Sequence, residues 1–330
     1  DRLNHSSITT TNATGEFVDR QEITYLEYDQ FGNVLDQTVE RYDKADNTAT
    51  LIDYKVIHNE YGDPLAARRG NATHTTINRY SSKDTLDAST RIERQEIYNK
   101  SFDGIGNVID QEVELYVSEK LSKKTVIKNL EISNSGDAAI QHITTYSTDS
   151  DGNLIAKETS YQIIANRAFD SSHNVLNQRI ETYLDARETN PILLDVQEVR
   201  NITFDSRGNA LQQRIATYSD LEETKLLDIK VITNENLDAQ GNAGKTTILK
   251  YKAGSVDGDL LAADFIDATV IETTRFDLRG NALNQTVKKY SDINKASLTE
   301  TQIIVNTGYD FHDRLNHSSI TTTNATGEFV

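Results

Sequence analysis

The sequence predicts an all-β protein of tandem antiparallel β-hairpins, with nine units of about 35 residues forming one continuous elongated sheet or fibre. A step of aromatic residue, Asp, two variable residues, Gly and Asn recurs, and the strand after it alternates with period two. Cross-strand partners in the implied hairpins also match in kind. The clearest copies of the step are YDQFGNVLDQTVERY (28–42), FDGIGNVIDQEVELY (102–116), FDSSHNVLNQRIETY (169–183), FDSRGNALQQRIATY (204–218) and FDLRGNALNQTVKKY (276–290).

Two repeats are nested in the chain. Residues 1–18, DRLNHSSITTTNATGEFV, return letter for letter as 313–330, so the long period is 312 residues. Nine short units fill this period without a separate linker, which indicates a repeat array. We therefore predict a single array over residues 1–330, slightly more than one period of a larger tandem array. The absence of Met further suggests a processed chain or an excerpt.

The recurring step predicts a hairpin turn. Asp followed three residues later by Gly suits a type I turn closed by a residue at positive φ. A three-residue loop at 30–32 then places Tyr28 opposite Val34 and Tyr25 opposite Gln37, and it pairs Asn with Gln in other units. The predicted turn glycines are Gly32, Gly106, Gly136, Gly208, Gly241 and Gly280.

Two apolar columns follow from this register. An Ile or Val precedes the Asn position by two residues in every unit, and its partner on the return strand is also Ile or Val, as in Ile97 with Val113. A single hairpin is only marginally stable in water. The columns therefore predict a core that neighbouring units bury by stacking.

Two amide columns lie on the same face as the apolar columns. Uniform amides favour ordered stacks that bond to one another along the sheet, as in cross-β assemblies. The alternative is a solvated polar stripe beside a narrow core. The Gln column contains Gln37, Gln111, Gln141, Gln178, Gln213 and Gln285. The Asn column contains Asn59, Asn99, Asn129, Asn166, Asn201, Asn234 and Asn306.

The aromatic–Asp–x–x–Gly–Asn step, followed by a strand that ends in Tyr, resembles the YD (Rhs-type) repeats of large exported bacterial proteins. In that family the repeats form consecutive hairpins in a long coiling antiparallel sheet, which is often a shell. The resemblance implies a hairpin array and an exported protein. This chain departs from the family in its longer unit, its Asn after the Gly and its amide columns. It has no Rhs-type core or self-cleaving domain, so the resemblance does not imply a toxin shell.

Composition excludes several classes of partner and site. The formal charge of −17 and the pI near 4.8 disfavour binding to nucleic acid or to an anionic membrane surface. The chain has no Cys, which removes disulfides and thiolate metal sites. No apolar run is long enough to span a bilayer, so we predict no membrane insertion.

No catalytic or metal-binding motif stands out. The seven His are scattered without an HxH or HxxxH pair, which predicts isolated surface residues. The stretches STDSDGNL (147–154) and SVDGDL (255–260) resemble fragments of acidic Ca²⁺ loops but lack the EF-hand spacing. We predict acidic turns there, which leaves weak Ca²⁺ binding open, and otherwise no cofactor. An array offers one surface many times, whereas an enzyme needs one constellation, so we predict no enzyme.

These features favour a structural, filament-forming extracellular protein. Its expected partner is itself, by tandem continuation or by head-to-tail assembly into filaments at an extracellular or cell-surface location. An adhesin stalk or a glycan-binding repeat array is the alternative function, and it predicts exposed aromatic residues in the variable loops. A parallel β-solenoid is the alternative fold, because units near 35 residues permit it.

Overall fold

A computed structural model describes residues 2–11, 15, 17–46, 48–62, 64–185 and 191–330. The chain divides into two compact units, Asp1–Tyr161 and Gln162–Val330, and both are built almost entirely of strands. Successive strands within each unit run antiparallel. The prediction of an all-β fold of tandem hairpins is confirmed, and the parallel solenoid is wrong.

In the first unit, each strand from β1 to β8 pairs with the strand that follows it. Its elements are β1 (His5–Thr11), β2 (Phe17–Tyr28), β3 (Val34–Tyr42), β4 (Leu51–Glu60), α1 (Pro64–Arg69), β5 (His74–Tyr80), β6 (Arg91–Phe102), β7 (Val108–Val117), β8 (Lys120–Ile132) and β9 (Ala138–Thr148). The boundary between the two units falls within β10 (Leu154–Phe169).

In the second unit, each strand from β11 to β18 also pairs with its successor. A short 3₁₀ helix, Ala262–Asp264, precedes β16. The strands are β11 (Val175–Tyr183), β12 (Leu193–Phe204), β13 (Ala210–Tyr218), β14 (Leu226–Leu237), β15 (Ala243–Tyr251), β16 (Phe265–Phe276), β17 (Ala282–Tyr290), β18 (Leu298–Asn306) and β19 (Ser318–Asn324).

The predicted register is confirmed in the hairpins that were used to derive it. Tyr25 lies opposite Gln37 and Tyr28 opposite Val34 across β2 and β3. The same pairing joins Asn99 to Gln111 across β6 and β7, and Asn201 to Gln213 across β12 and β13. In these hairpins the strand pairing shifts by one residue just after the Asn position, and a second shift restores the predicted register before the turn. The like-with-like rule therefore identifies true strand partners.

The predicted turn is also confirmed. The Asp29 N–H donates to the Asn33 carbonyl at 2.9 Å, and the Gly32 N–H donates to the Asp29 carbonyl at 3.2 Å, which closes the three-residue loop. The six predicted turn glycines have φ between 81° and 100°. His173 and Asp313 occupy the same turn position at φ 65° and 61° without being glycine. The turn geometry is therefore kept even where the residue disfavours it.

The insertion in the second repeat unit forms the one α-helix of the described residues. Pro64 begins α1, where its missing N–H costs nothing, and Gly70 ends it at φ 73°. Ala66 and Ala67 of this helix are buried. In this unit the helix takes the place of the turn that runs from Asp to Asn in the other hairpins. Strands β4 and β5 still pair, with Asn59 opposite Thr75.

The core differs from the predicted one. The apolar columns are mostly half-buried, Val199 is 4% exposed, and Ile320 is 58% exposed. The fully buried cluster of the second unit contains Ala216, Ile229, Tyr251 and Val256. Its strand members point to the face opposite the columns, because side chains alternate along a strand. Full burial there requires a loop over the sheet, and Val256 belongs to that loop.

Candidate functional site

In the hairpins after the first, residues of the amide columns form hydrogen-bonded pairs across the two strands. The Gln111 Nε2 donates to the Asn99 Oδ1 at 2.8 Å, and the Gln213 Nε2 donates to the Asn201 Oδ1 at 2.6 Å. The pairs of Gln141 with Asn129 and of Gln178 with Asn166 have the same geometry. A hydroxyl replaces one amide in the pairs Thr75 with Asn59, Thr246 with Asn234, Ser318 with Asn306 and Gln285 with Thr273.

The same Asn residues reach back to the preceding hairpin. The Asn99 Nδ2 donates to the Ala72 carbonyl at 2.8 Å, and the Asn201 Nδ2 donates to the Val175 carbonyl at 2.8 Å. We call this hydrogen bond the Asn link. Further Asn links run from Asn59 to Val34, from Asn129 to Val108, from Asn234 to Ala210 and from Asn306 to Ala282.

The Asn links differ from the expected ladder of stacked amides. Asn positions of successive hairpins lie on every second strand, so they are about 10 Å apart, beyond the reach of a direct amide–amide bond. Each of the six linking Asn residues therefore bonds to a Gln or hydroxyl in its own hairpin and to a main-chain carbonyl in the one before. The amides are ordered and buried or half-buried, but main-chain oxygens connect one pair to the next.

In the first hairpin a tyrosine takes over the link. Tyr25 occupies the Asn position of the first hairpin, and there the Tyr28 hydroxyl donates to the Leu3 carbonyl. The hydroxyls of Tyr61 and Tyr309 reach the same carbonyls as Asn59 and Asn306, those of Val34 and Ala282. The aromatic residue of the recurring step can thus join two hairpins through its hydroxyl when it is Tyr.

Most of the five-residue hairpin turns begin with an Asp whose carboxylate organises the turn. The Asp170 Oδ1 accepts from the backbone N–H of Ser172 and of Asn174, and its Oδ2 accepts from the Asn174 side chain. The hydrogen bond from the Asn174 side chain is the main cause that lowers the pKa of Asp170, followed by the Asn174 backbone N–H. The carboxylate is therefore fixed as an acceptor inside its own turn.

Successive turns also pack against each other. A Cβ placed on Gly208 would lie 2.6 Å from the Asn174 Oδ1, and one placed on Gly280 would lie 2.7 Å from the Asn242 Oδ1. The turn Asn of one hairpin thus occupies the space beside the Gly of the next. Sequence reasoning assigned these glycines to positive φ alone, whereas the structure adds a steric requirement.

The opposite end of each hairpin, which we call the loop end, is held by ion pairs. The Arg200 guanidinium donates to both oxygens of Asp257 at 2.7 and 2.8 Å, and Arg214 donates to the Gly258 carbonyl at 2.9 Å. Arg179 donates to Glu223 at 2.8 Å in the loop between β13 and β14. In the first unit, Lys83 lies 2.9 Å from Glu40. The variable loops thus fold back onto earlier strands through charge.

A third column was missed in the sequence. An acidic residue lies four positions before the apolar column residue in seven units: Asp19, Asp53, Glu93, Asp195, Asp228, Asp267 and Glu300. Several of these acids contact a basic residue of a neighbouring strand. The Asp53 carboxylate is 2.6 Å from Arg41, and that of Asp228 is 3.1 Å from Lys250. Its constant spacing of four residues before the Ile or Val column is the sequence feature that would have revealed it.

Two histidines come together in the first unit. The Glu60 carboxylate lies 3.4 Å from His74 Nδ1 and 3.9 Å from His58 Nε2. Asp36 and Glu96 contact the other ring nitrogens at 2.8 and 2.9 Å. The expectation of isolated histidines is wrong for this pair, because the pairing of Glu60 with His74 joins strands on either side of the inserted helix.

The two stretches that resemble Ca²⁺ loops have other partners. Residues 149–153 form a hairpin turn of the recurring type, in which the Asp149 Oδ1 accepts from backbone N–H groups of Asp151 and Asn153. Asp257 in the second stretch binds Arg200. Among the described residues, no group of three or more His, Asp or Glu is placed to hold a metal ion. The described residues likewise contain no helix with the length and apolarity needed to cross a membrane.

No family model matches the chain, and no curated protein matches it. It is similar to solved structures described as "Crystal Structure of TcdB2-TccC3 without hypervariable C-terminal region" and "Crystal Structure of TcdB2-TccC3-TEV". The identities are 12% and 11%, with TM-scores of 0.17 and 0.16. The matches cover 98% and 99% of this chain but 22% of each of those chains. TM-scores this low carry no argument, so membership of the YD repeat family stays a prediction.

Proposed function

We propose that this chain is a structural, filament-forming extracellular protein whose hairpins continue one after another along a fibre. The observation that carries the proposal is the Asn link. It joins a hairpin to its predecessor by side-chain contacts that recur in both units and require no other molecule. A protein whose repeated polar groups bind its own next repeat is suited to building length.

The long repeat supports the same proposal. Residues 313–330 repeat the sequence of residues 1–18, so the same pattern of hairpins can continue from one 312-residue period into the next. Stacked repeats are stabilised by contacts with their immediate neighbours, and more repeats can be added without a new kind of contact. Continuation takes place by covalent tandem repetition, by head-to-tail assembly, or by both.

The extracellular location rests on composition and on the resemblance to YD repeats of exported proteins. The net charge of −17 keeps neighbouring fibres apart and soluble. The role follows as a matrix or surface scaffold, with no catalytic step assigned to the chain.

The alternative, an adhesin stalk or glycan-binding array, gains less support. It expects exposed aromatic residues in the variable loops, but the exposed large apolar residues described there are aliphatic, among them Leu86, Leu221 and Leu261. An open cleft lined by Phe31 and Tyr61 lies beside α1, at the insertion of one repeat unit. A cleft tied to that insertion does not supply the repeated sites of a binding array.

Electron microscopy of the native material tests the proposal. We expect long fibres of uniform width, with fibre diffraction showing a strand spacing of about 4.8 Å. Monodisperse globular particles in the native material would overturn it.

A matched pair of variants tests the Asn link as the element that carries the proposal. Replacing Asn201 and Asn234 by Ala in the 330-residue chain removes two links between hairpins, and we expect a lower melting temperature. Replacing the exposed Thr203 of β12 and Gln212 of β13 by Ala changes the same region of the sheet without removing a link. Equal effects of the two double variants would remove the Asn link from the explanation.

A further inference from the structure

The two identical segments of the chain have different strand partners. β1 lies in the first copy and pairs with β2, whereas β19 lies in the second copy and pairs with β18. Residues 1, 12–14 and 16 of the first copy lie outside the described residues, but both strands are described in full. Residues 6–11 of β1 and their copies 318–323 in β19 are thus seen once with the following neighbour and once with the preceding neighbour.

The two copies use opposite edges of this strand. The Tyr25 N–H donates to the Asn4 carbonyl at 3.0 Å, so in the first copy the even-numbered residues, including Ile8, face β2. The Thr307 N–H donates to the His317 carbonyl at 2.9 Å, so in β19 the odd-numbered residues face β18. Ser318, Ile320 and Thr322 therefore present their backbone groups to the edge that β1 uses for β2.

The second copy also begins the pairing that the first copy completes. Thr323 forms a bridge with Phe329, at positions 312 residues after the pair of Thr11 with Phe17. The Val330 N–H donates to the Thr322 carbonyl at 3.2 Å. The chain thus enters the next hairpin in the register already seen between β1 and β2.

Side chains support the same match. His5 and Ser7 of β1 contact the Glu22 carboxylate of β2, each at 3.0 Å. Their copies in the second segment, His317 and Ser319, are exposed. The second copy therefore carries the groups that bind β2 and presents them to solvent.

We propose that the outer edge of β19 binds the β2 strand of a second copy of this chain, where it takes the place of that copy's own β1. The register is that of β1 with β2, which places Ile320 opposite Gln21 and Ser318 opposite Ile23, beyond the end of the edge where Val330 already contacts Thr322. The proposal rests on the proposed function, of which it is the head-to-tail contact. In a covalent tandem array the same pairing forms between consecutive periods of one chain.

The exchange replaces each contact by an identical one. Swapping an identical element between copies is a low-cost route to association. The β1 of the same molecule nevertheless competes with an effective concentration of the order of millimolar. We therefore expect the unaltered 330-residue chain to remain monomeric at micromolar concentration.

Substitution of Ile8 by Pro in the full 330-residue chain tests the proposal. Pro has no N–H to donate to β2, so β1 is released while β19 keeps its sequence. We expect head-to-tail oligomers that grow with concentration in analytical ultracentrifugation, and an excess of a peptide of residues 1–18 returns them to monomers. Hydrogen exchange in β3–β9 checks that the rest of the fold is retained.

The second copy supplies the matched control. Ile320→Pro makes the same chemical change in β19 and leaves β1 in place, so this variant is expected to stay monomeric, as is the double variant. The proposal is overturned if Ile8→Pro releases β1 and remains monomeric, or if the double variant associates as strongly. Fibres in the native material together with a monomeric Ile8→Pro variant would retain the filament function and reject this contact.

Discussion

At the turn end of the hairpins, each contact is repeated: the Asp carboxylate in its turn, the Asn beside the next Gly, and the Asn link nearby. At the loop end, each loop has its own length and its own ion pair, such as Arg200 with Asp257 or Lys83 with Glu40. The comparison shows two ways to hold adjacent hairpins. Repeated geometry requires fixed residues at fixed spacing, whereas charge tolerates loops of different length.

Acid is expected to have the largest effect, because it protonates all turn carboxylates together. Burial alone would raise the pKa of Asp310, but hydrogen bonds from the side chain and backbone of Arg314 outweigh it and lower the pKa to about 2. A pKa below the unfolded value of 3.8 stabilises the fold above that value, and this stabilisation is lost as the pH falls through the folded pKa. The turn end should therefore weaken as the pH falls from about 4 to about 2.

Hydrogen exchange measures this difference directly. Protection of the Asn174 and Asn209 N–H groups, corrected for intrinsic rates, should fall before that of Val117 and Lys120. The latter flank a two-residue loop without a turn Asp. Simultaneous loss at all four positions would contradict a special role for the turn carboxylates.

Removal of one Asn link should have the largest effect among single substitutions. Asn201→Ala removes the bonds to Gln213 and to the Val175 carbonyl and leaves half-buried polar atoms unpaired, at a cost of about 2 kcal/mol. Urea unfolding gives the change in the free energy of unfolding. Gln212→Ala, on the same hairpin but exposed, should change it by less than about 0.5 kcal/mol. If the two variants lose the same free energy of unfolding, the Asn link contributes no more than an ordinary surface contact.

The turn glycines provide a comparison in both directions. Gly208→Ala adds a Cβ at φ 81° and against Asn174, and should destabilise the fold by about 1–2 kcal/mol. His173→Gly, at φ 65° in the preceding hairpin turn, should stabilise it by a smaller amount, because glycine also loses more backbone entropy on folding. Thermal unfolding should show a lower melting temperature for Gly208→Ala and a higher one for His173→Gly. A higher melting temperature for Gly208→Ala would show that the turn does not need glycine.

The loop end should respond least. Asp257→Asn weakens an ion pair whose carboxylate is largely exposed, so a loss of at most about 1 kcal/mol is expected, and less at high salt. Unfolding at low and at high ionic strength measures this dependence. A loss as large as that of Asn201→Ala, or one insensitive to salt, would reverse the ranking of the two ends.

The sequence was sufficient to predict the hairpins, because the turn length that determines strand pairing can be read from a few neighbouring residues. A turn of five residues fixes which residues lie opposite each other, so the pairing of Asn201 with Gln213 followed from counting alone. The Asn link did not follow, since its acceptor is a main-chain carbonyl that carries no sequence signal. The pairing of Arg200 with Asp257 joins residues 57 apart, and no periodicity specifies that contact. The histidine pair was hidden because the inserted helix changes the count between β4 and β5.

The Asn link also has a direction. Each Asn donates to a carbonyl that precedes it in the chain, and the described links all run the same way. A fibre built from these hairpins would therefore be polar, with chemically unlike ends. At the C-terminal end of such a fibre, the last main-chain carbonyls would have no Asn donor. At the N-terminal end, the first amide or hydroxyl donor would have no carbonyl to bind. Growth or capping at the two ends would then require two different kinds of partner.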